Sequence, residues 1–300
     1  MYNTLASVLE DENRTQESEA EFRRGLDVSR ERGDKDAESE SLEGLIRTTY
    51  ALGKINEEKA WFDVLTASGQ ASGIDWQWQA ERLYKLQDYL HAAEHYRTAA
   101  TMNYLSLENW CQAATAYSQA PHQEDNALSA ARECVKEATG KPNSFSYLLS
   151  AHLIISDTLH DRGVFDGALS QASEALAIDP SSAFAYFSEA DALDGLHRYQ
   201  EAINAAKEAI RLSDGKFGYM HFELGSAYFG AENWQLAEAS FEKAAELTPT
   251  DSNAAYNVAV CNGRLGYRLE AARWYEEALR RNPARPDRED VLRRIRLLRQ

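Results

Sequence analysis

Four stretches of this chain, residues 152–180, 186–214, 221–249 and 255–283, align with one another, and that self-similarity limits the possible fold more than any other feature. Each has a small residue early (Ser156, Ala190, Gly225, Ala259), a second twelve places on (Ala168, Ala202, Ala237, Ala271), and an alanine seven beyond that (Ala175, Ala209, Ala244, Ala278). Two antiparallel helices joined by a short turn approach closely only where a small side chain faces the partner, so small residues recur at matched heights. Leu159, Leu193 and Tyr228 repeat in the first helices, and Phe165, Tyr199 and Trp234 mark the entry to the second. Pro180, Pro249 and Pro283 close their units, where proline ends a helix without removing a needed hydrogen bond.

Carried backwards, the register reaches Ala114, Ala80, Arg47 and Ala6, giving eight units spaced 41, 33, 34, 42, 34, 35 and 34 residues apart. The pattern resembles the tetratricopeptide repeat (TPR) family, whose unit is a helix-turn-helix of about 34 residues. The resemblance implies an all-α, right-handed α-solenoid of about eight such units. It predicts a single solenoid over residues 1–300, with less regular repeats in 1–140, regular ones in 141–285 and a capping helix in 286–300. In the second unit Arg47 stands where a small residue is expected, and Ala60, Val64 and Ala67 fall one place late, so its helices are read as shifted. An insertion near Pro121 moves Ala127, Ala131 and Cys134 by one place, and the loop-like residues 140–144 are read as a bend in the array. The register of the first unit starts before Met1, which reads as an excised piece. At the other end Val291, Leu292, Ile295 and Leu298 recur at helical spacing with arginines opposite, the pattern of a cap with one polar face.

Charge narrows the partners. The chain carries 32 Lys and Arg against 48 Asp and Glu, a formal charge of −16, and such a surface repels phosphate backbones. Nucleic acid is therefore excluded as a primary partner. The last 21 residues run the other way, with eight arginines against three acids, which suggests a helix that docks on the acidic body or leads elsewhere. The longest apolar run, residues 183–187, is far short of the roughly 18 residues a membrane span needs, so no membrane role is expected. The first ten residues lack a signal-peptide pattern, and a cytoplasmic location is expected. Cys111, Cys134 and Cys261 are odd in number and set among alanines and aromatics, which predicts buried, reduced thiols rather than a disulfide.

Catalytic patterns are weak. His91, Glu94 and His95 imitate an inverted zinc-protease signature, but they lie in the second helix of a well-formed repeat, where Ala92, Tyr96 and Ala99 point inward. No glycine-rich phosphate loop or nucleophile elbow is present. The pairs Asp157 with Asp161 and Asp191 with Asp194 read as solvated helix faces. A non-enzyme without metal or cofactor is expected.

In the family this chain resembles, the first helices line a concave surface, and its best-known members grip a chaperone's C-terminal carboxylate with lysine, arginine and asparagine. Asn257 fits such a clamp, whereas Gln77, Glu81, Leu153, Ile154, Phe187 and Phe222 do not, so that ligand is disfavoured. The inward places carry Glu81, Tyr84, Asp157, Phe184, Phe187, Asp191, Tyr219, Phe222, Glu223, Phe229, Tyr256 and Arg264. Aromatics take six of the fifteen inward places in the last three units, against 10% of the whole sequence. Two readings stay open for them, filling of the seam between units or an exposed anchor site. The second predicts a non-catalytic scaffold whose groove, centred on residues 184–264, binds a partner segment with aliphatic and basic residues. Two other readings are a sensor region cut from a larger protein, controlling an attached catalytic or signalling domain, and self-association through the basic final helix.

Overall fold

The computed structural model describes residues 1–300 and contains seventeen helices and no strands. They pair into eight hairpins: α1 (Tyr2–Asp11) with α2 (Thr15–Arg32), α3 (Lys35–Ala51) with α4 (Ile55–Ala67), α5 (Gly73–Lys85) with α6 (Tyr89–Thr101), and α7 (Ser106–Gln119) with α8 (Glu124–Ala138). The series continues with α9 (Phe145–Asp161) and α10 (Phe165–Ile178), α11 (Ala183–Gly195) and α12 (Tyr199–Leu212), α13 (Gly218–Gly230) and α14 (Trp234–Leu247), then α15 (Ser252–Leu265) and α16 (Arg268–Arg281). A single helix, α17 (Arg288–Leu298), follows. The helices gather into two compact units, Met1–Asn109 and Trp110–Gln300.

The helix starts are set by side chains that satisfy otherwise unpaired backbone N–H groups. Asp34, Ser182 and Asn233 accept from Ala37, Ala185 and Leu236, and Ser72 with Asp75 forms a capping box ahead of α5. Each turn inside a hairpin passes through one left-handed residue: Asn13, Gly53, Gln87, His122, Gly163, His197, Glu232 and Gly266. A backbone bond then spans the turn, as from Arg198 N to Leu193 O and from Asn233 N to Tyr228 O, both 2.9 Å. This closure fixes the return angle of the second helix. Its recurrence in seven of the hairpins makes them alike even where the turn residue is not glycine.

The small residues that defined the repeat are buried. Ala190, Ala202, Ala237, Ala259 and Ala271 have no exposed surface, and Ser156, nearly as buried, donates to Ala168 O at 2.9 Å across its hairpin. Between successive hairpins, the ring that opens one second helix rests on a glycine of the next first helix. A Cβ on Gly195 would lie 2.3 Å from the Phe165 ring, and one on Gly230 would lie 2.2 Å from Tyr199. At the next place the glycine is replaced by Arg264, whose guanidinium sits over Trp234, 5.4 Å from the ring centroid. Close helix approach therefore needs a residue with no side chain, or one that stacks flat.

The second hairpin departs from the sequence reading in detail. Arg47 is exposed, pairing with Glu10, and the inward place belongs to Ile46, one residue earlier. Ala60 and Ala67 face solvent, while Glu58, Phe62 and Leu65 occupy the buried positions of α4. The register is shifted, but one place earlier rather than later, and large residues fill slots that alanines fill elsewhere. In the fourth hairpin the expected shift is present, with Ala127, Ala131 and Cys134 buried. Residues 140–144 connect α8 and α9, which pack on each other, and Ser144 Oγ donates to Ala138 O and Lys141 O.

The cysteine expectation is overturned for two of the three residues. Cys111 of α7 and Cys134 of α8 form a disulfide, with Cα atoms 4.9 Å apart. In the repeat register Cys111 takes the place of Phe222 and Cys134 that of Ala244, and in the seventh hairpin Phe222 packs against the cluster holding Ala244. A covalent bond thus stands where a ring-to-alanine contact would otherwise join the two helices. Cys261 alone is a free thiol; it is buried, and burial pushes it up to about 12.

Helix α17 docks on α16. Val291 and Ile295 are buried in a cluster with Ala259, Ala272 and Tyr275, and Leu292 and Leu298 pack against it. The arginines of this tail are engaged locally: Arg280 and Arg281 with Glu277, Arg285 with Asp287, Arg293 and Arg294 with Asp290, Arg299 with Glu276.

Candidate binding groove of the second unit

Within the second unit, α9 packs on α11 and α11 on α13, so first helices of three successive hairpins lie side by side. Their side chains divide the predicted inward set into two groups. Phe184 and Tyr219 are 50% and 41% exposed, and with Phe187, Asp157, Leu153 and Ser188 they line a groove pocket of about 430 Å³. Phe187 meets Tyr219 edge-on at 5.0 Å between ring centroids. Phe217, which the register did not single out, extends this surface, 5.8 Å from Phe184 and 5.4 Å from Tyr219. It was missed because it is the N-cap residue, one place outside α13.

In the second group Phe222, Phe229 and Tyr256 pack on rings from the second helix of their own hairpins. Phe222 packs edge-on against the buried Phe241 at 5.2 Å, and Phe229 against Trp234 at 4.8 Å. Tyr256 lies between Tyr275, 5.3 Å away, and the guanidinium of Arg285 at 4.7 Å. Arg264 is held over Trp234 as described above. Glu81, exposed and bonded to Gln77, and Tyr84, edge-on to Tyr89, belong to the first unit. A helical register reports which way a residue points. It does not report whether a ring on another helix covers it.

Below the aromatic surface lies a group of carboxyls. Asp157 accepts from Ser188 Oγ at 3.0 Å, and His160 Nδ1 is 3.1 Å from Asp191 Oδ2. Glu223 is 7% exposed and Asp191 and Asp194 are half-buried. Burial pushes all three carboxyls up, that of Glu223 well above its usual range, and their mutual repulsion adds to the effect at Asp194 and Glu223. Asp157 is pushed the same way by its crowded surroundings, yet it is more than a third open to water, which moderates the effect. Asp191 and Asp194 are thus not the plain solvated face that their spacing suggested, whereas Asp157 and Asp161 are exposed.

The histidine pair of α6 is separated by environment. His91 is exposed against Asp88, while the His95 ring is buried between Trp76 and Phe62 at 4.8 and 5.5 Å, and desolvation lowers it to about 4.

The tetratricopeptide repeat family model matches residues 187–252 and 222–286, the hairpins on which the register is cleanest. Residues 187–286 are tetratricopeptide repeats. A 90-residue stretch is 32% identical to the Hsp70-Hsp90 organizing protein of Triticum aestivum, covering 30% of this chain and 15% of that protein. Another, of 87 residues, is 28% identical to small glutamine-rich tetratricopeptide repeat-containing protein 2 of Mycosarcoma maydis, covering 29% and 24% of the two chains. The chain therefore matches less than a quarter of the length of either curated relative. Among solved structures, one chain of the APC/C hetero-tetramer Cut9–Hcn1 matches 94% of this chain and 52% of its own length, with a TM-score of 0.63 and 16% identity. That likeness shows the fold, a helical repeat solenoid. No helix of this chain is long and apolar enough to cross a membrane.

Proposed function

We propose that the protein is a non-catalytic interaction scaffold that holds a segment of a protein partner across α9, α11 and α13. The single observation that carries this is the cluster of Phe184, Phe187, Phe217 and Tyr219, rings that touch one another while two of them are two-fifths or more exposed. Apolar surface grouped beside a pocket is where partner side chains gain most by leaving water, at about 2 kcal/mol or more per well-seated anchor. The pocket volume lies within the ~300–1,000 Å³ typical of ligand clefts. TPR relatives bind protein partners, which supports the reading at the level of class.

Phe222, among the predicted groove rings, does not suit a test by removal, because its contact with Phe241 makes Phe222→Ala a core deletion costing about 3 kcal/mol. Phe184 and Tyr219 are the suitable pair. A random dodecapeptide library displayed on phage and panned against the full chain should yield peptides that the Phe184→Ala/Tyr219→Ala variant no longer retains, with its thermal melt unchanged. Equal retention by that variant would remove the groove. The cytoplasmic expectation rested on the absence of a signal-peptide pattern, and the Cys111–Cys134 bridge weighs against it, since disulfides persist mainly in oxidising compartments. Self-association through the basic tail loses its main driving force in the local pairing of those arginines.

A further inference from the structure

Glu223 presents a problem that the fold solves only in part. The residue is 7% exposed and shares a hydrogen bond with Asp191, yet its Oε1 has no partner, and its charged neighbours, Asp191 and Asp194, carry the same sign. Asp194 likewise leaves Oδ1 unpartnered. No lysine or arginine pairs with these three carboxyls, and the charge contact they make is that of Asp191 with His160 at 3.1 Å. Grouped buried acids with orphaned oxygens cost stability unless something compensates them. The orphaned atoms lie on α11 and α13, the helices that also carry Phe184, Phe187 and Tyr219, and Asp157 links the two groups because it lines the aromatic pocket and sits in the field of Asp191.

We propose that Asp191, Asp194 and Glu223 form a subsite for one basic side chain, a guanidinium or ammonium, of the partner segment held in the aromatic groove. This rests on the groove reading above and deepens it. A guanidinium suits the site best, since its planar fork offers donors at once to the two orphaned oxygens, Asp194 Oδ1 and Glu223 Oε1. The neighbouring rings would cover the aliphatic stem of such a side chain, as long cationic side chains commonly arrange themselves.

The dodecapeptide selection tests both levels separately. Glu223→Gln keeps the shape of the protonated acid, so it preserves the fold while removing the ionisable oxygen, and a matching thermal melt verifies this. Peptides selected on the wild-type chain should be enriched in arginine or lysine at one position, and those selected on Glu223→Gln should not. A fluorescein-labelled copy of the best peptide should bind the wild-type chain at least tenfold more tightly than its citrulline-for-arginine copy, and Glu223→Gln should reduce that ratio to near one. If groove-dependent peptides emerge without a basic residue, or the citrulline copy binds equally, the subsite is wrong and the groove stands. If no peptide depends on Phe184 and Tyr219, both readings fall together.

Discussion

Glu58 of α4 and Arg82 of α5 meet at 2.7 Å with almost no exposure, in a place where the repeat elsewhere puts alanine. The contact is a charge pair rather than a well-directed hydrogen bond at Oε2. Gln79 completes it, its nitrogen donating to Glu58 Oε1 at 3.0 Å and its oxygen accepting from Arg82 at 3.1 Å. Burial pushes the Glu58 carboxyl up to about 7 against the pull of Arg82. Removing one partner strands a buried charge, so Glu58→Ala should cost about 3–5 kcal/mol. Adding Arg82→Met to it should recover most of that loss. A double-mutant cycle in urea, read by Trp76 and Trp78 fluorescence, checks this; simply additive losses would contradict it.

The Cys111–Cys134 bridge closes a loop 23 residues apart in sequence. Alkylation of the unfolded, unreduced protein should label Cys261 and neither of the others. Cys111→Ser/Cys134→Ser should lower the stability of the second unit by about 3 kcal/mol, the size a loop of this length gives. Three labelled cysteines by mass spectrometry would refute the bridge.

Two helical glycines should respond in opposite directions. Gly230→Ala drives a methyl into the Tyr199 ring and should cost about 1–3 kcal/mol. Gly263 of α15 has open space around its added Cβ, and Gly263→Ala should gain up to about 1 kcal/mol through helix propensity. Denaturation midpoints of the two variants on either side of the parent are the expected result.

His95 makes the first unit acid-sensitive. Its folded proton affinity, lowered to about 4 from 6.5, means the unfolded chain takes up the proton first as pH falls. Its stabilising contribution is complete above 6.5 and is lost as pH drops through 4, by an amount on the order of 2 kcal/mol. Glu58, raised to about 7, acts in the opposite sense, its contribution fading as pH rises through that value. His95→Phe should therefore flatten the acid side of the stability profile and leave the neutral side alone. An unchanged acid slope would show that His95 is hydrated.

The hairpins from Phe145 onward were legible because each places alanine, glycine or serine at the same heights. At those positions the helix-helix distance admits nothing larger, so the side chain itself records the contact. The second hairpin was harder to read because Ile46 and Glu58 stand at those heights, and only the partner across the gap, Arg82, explains a buried acid there. Of the predicted groove, Phe184, Phe187, Asp157 and Tyr219 come together around one pocket, whereas Phe222, Phe229 and Tyr256 are taken up by Phe241, Trp234 and Tyr275. Those neighbours occupy a different phase of the repeat and cannot be seen from the first helices alone.

Periodicity along the chain determined that these residues form paired helices, and which face of each pair is packed, because helical geometry converts spacing into direction. It could not determine which inward-facing rings stay open, which acids lose their water, or that Cys111 would reach Cys134. Those outcomes depend on distances between residues from different helices, and a repeat fixes such distances only when the hairpins are stacked and their side chains compete for the same space.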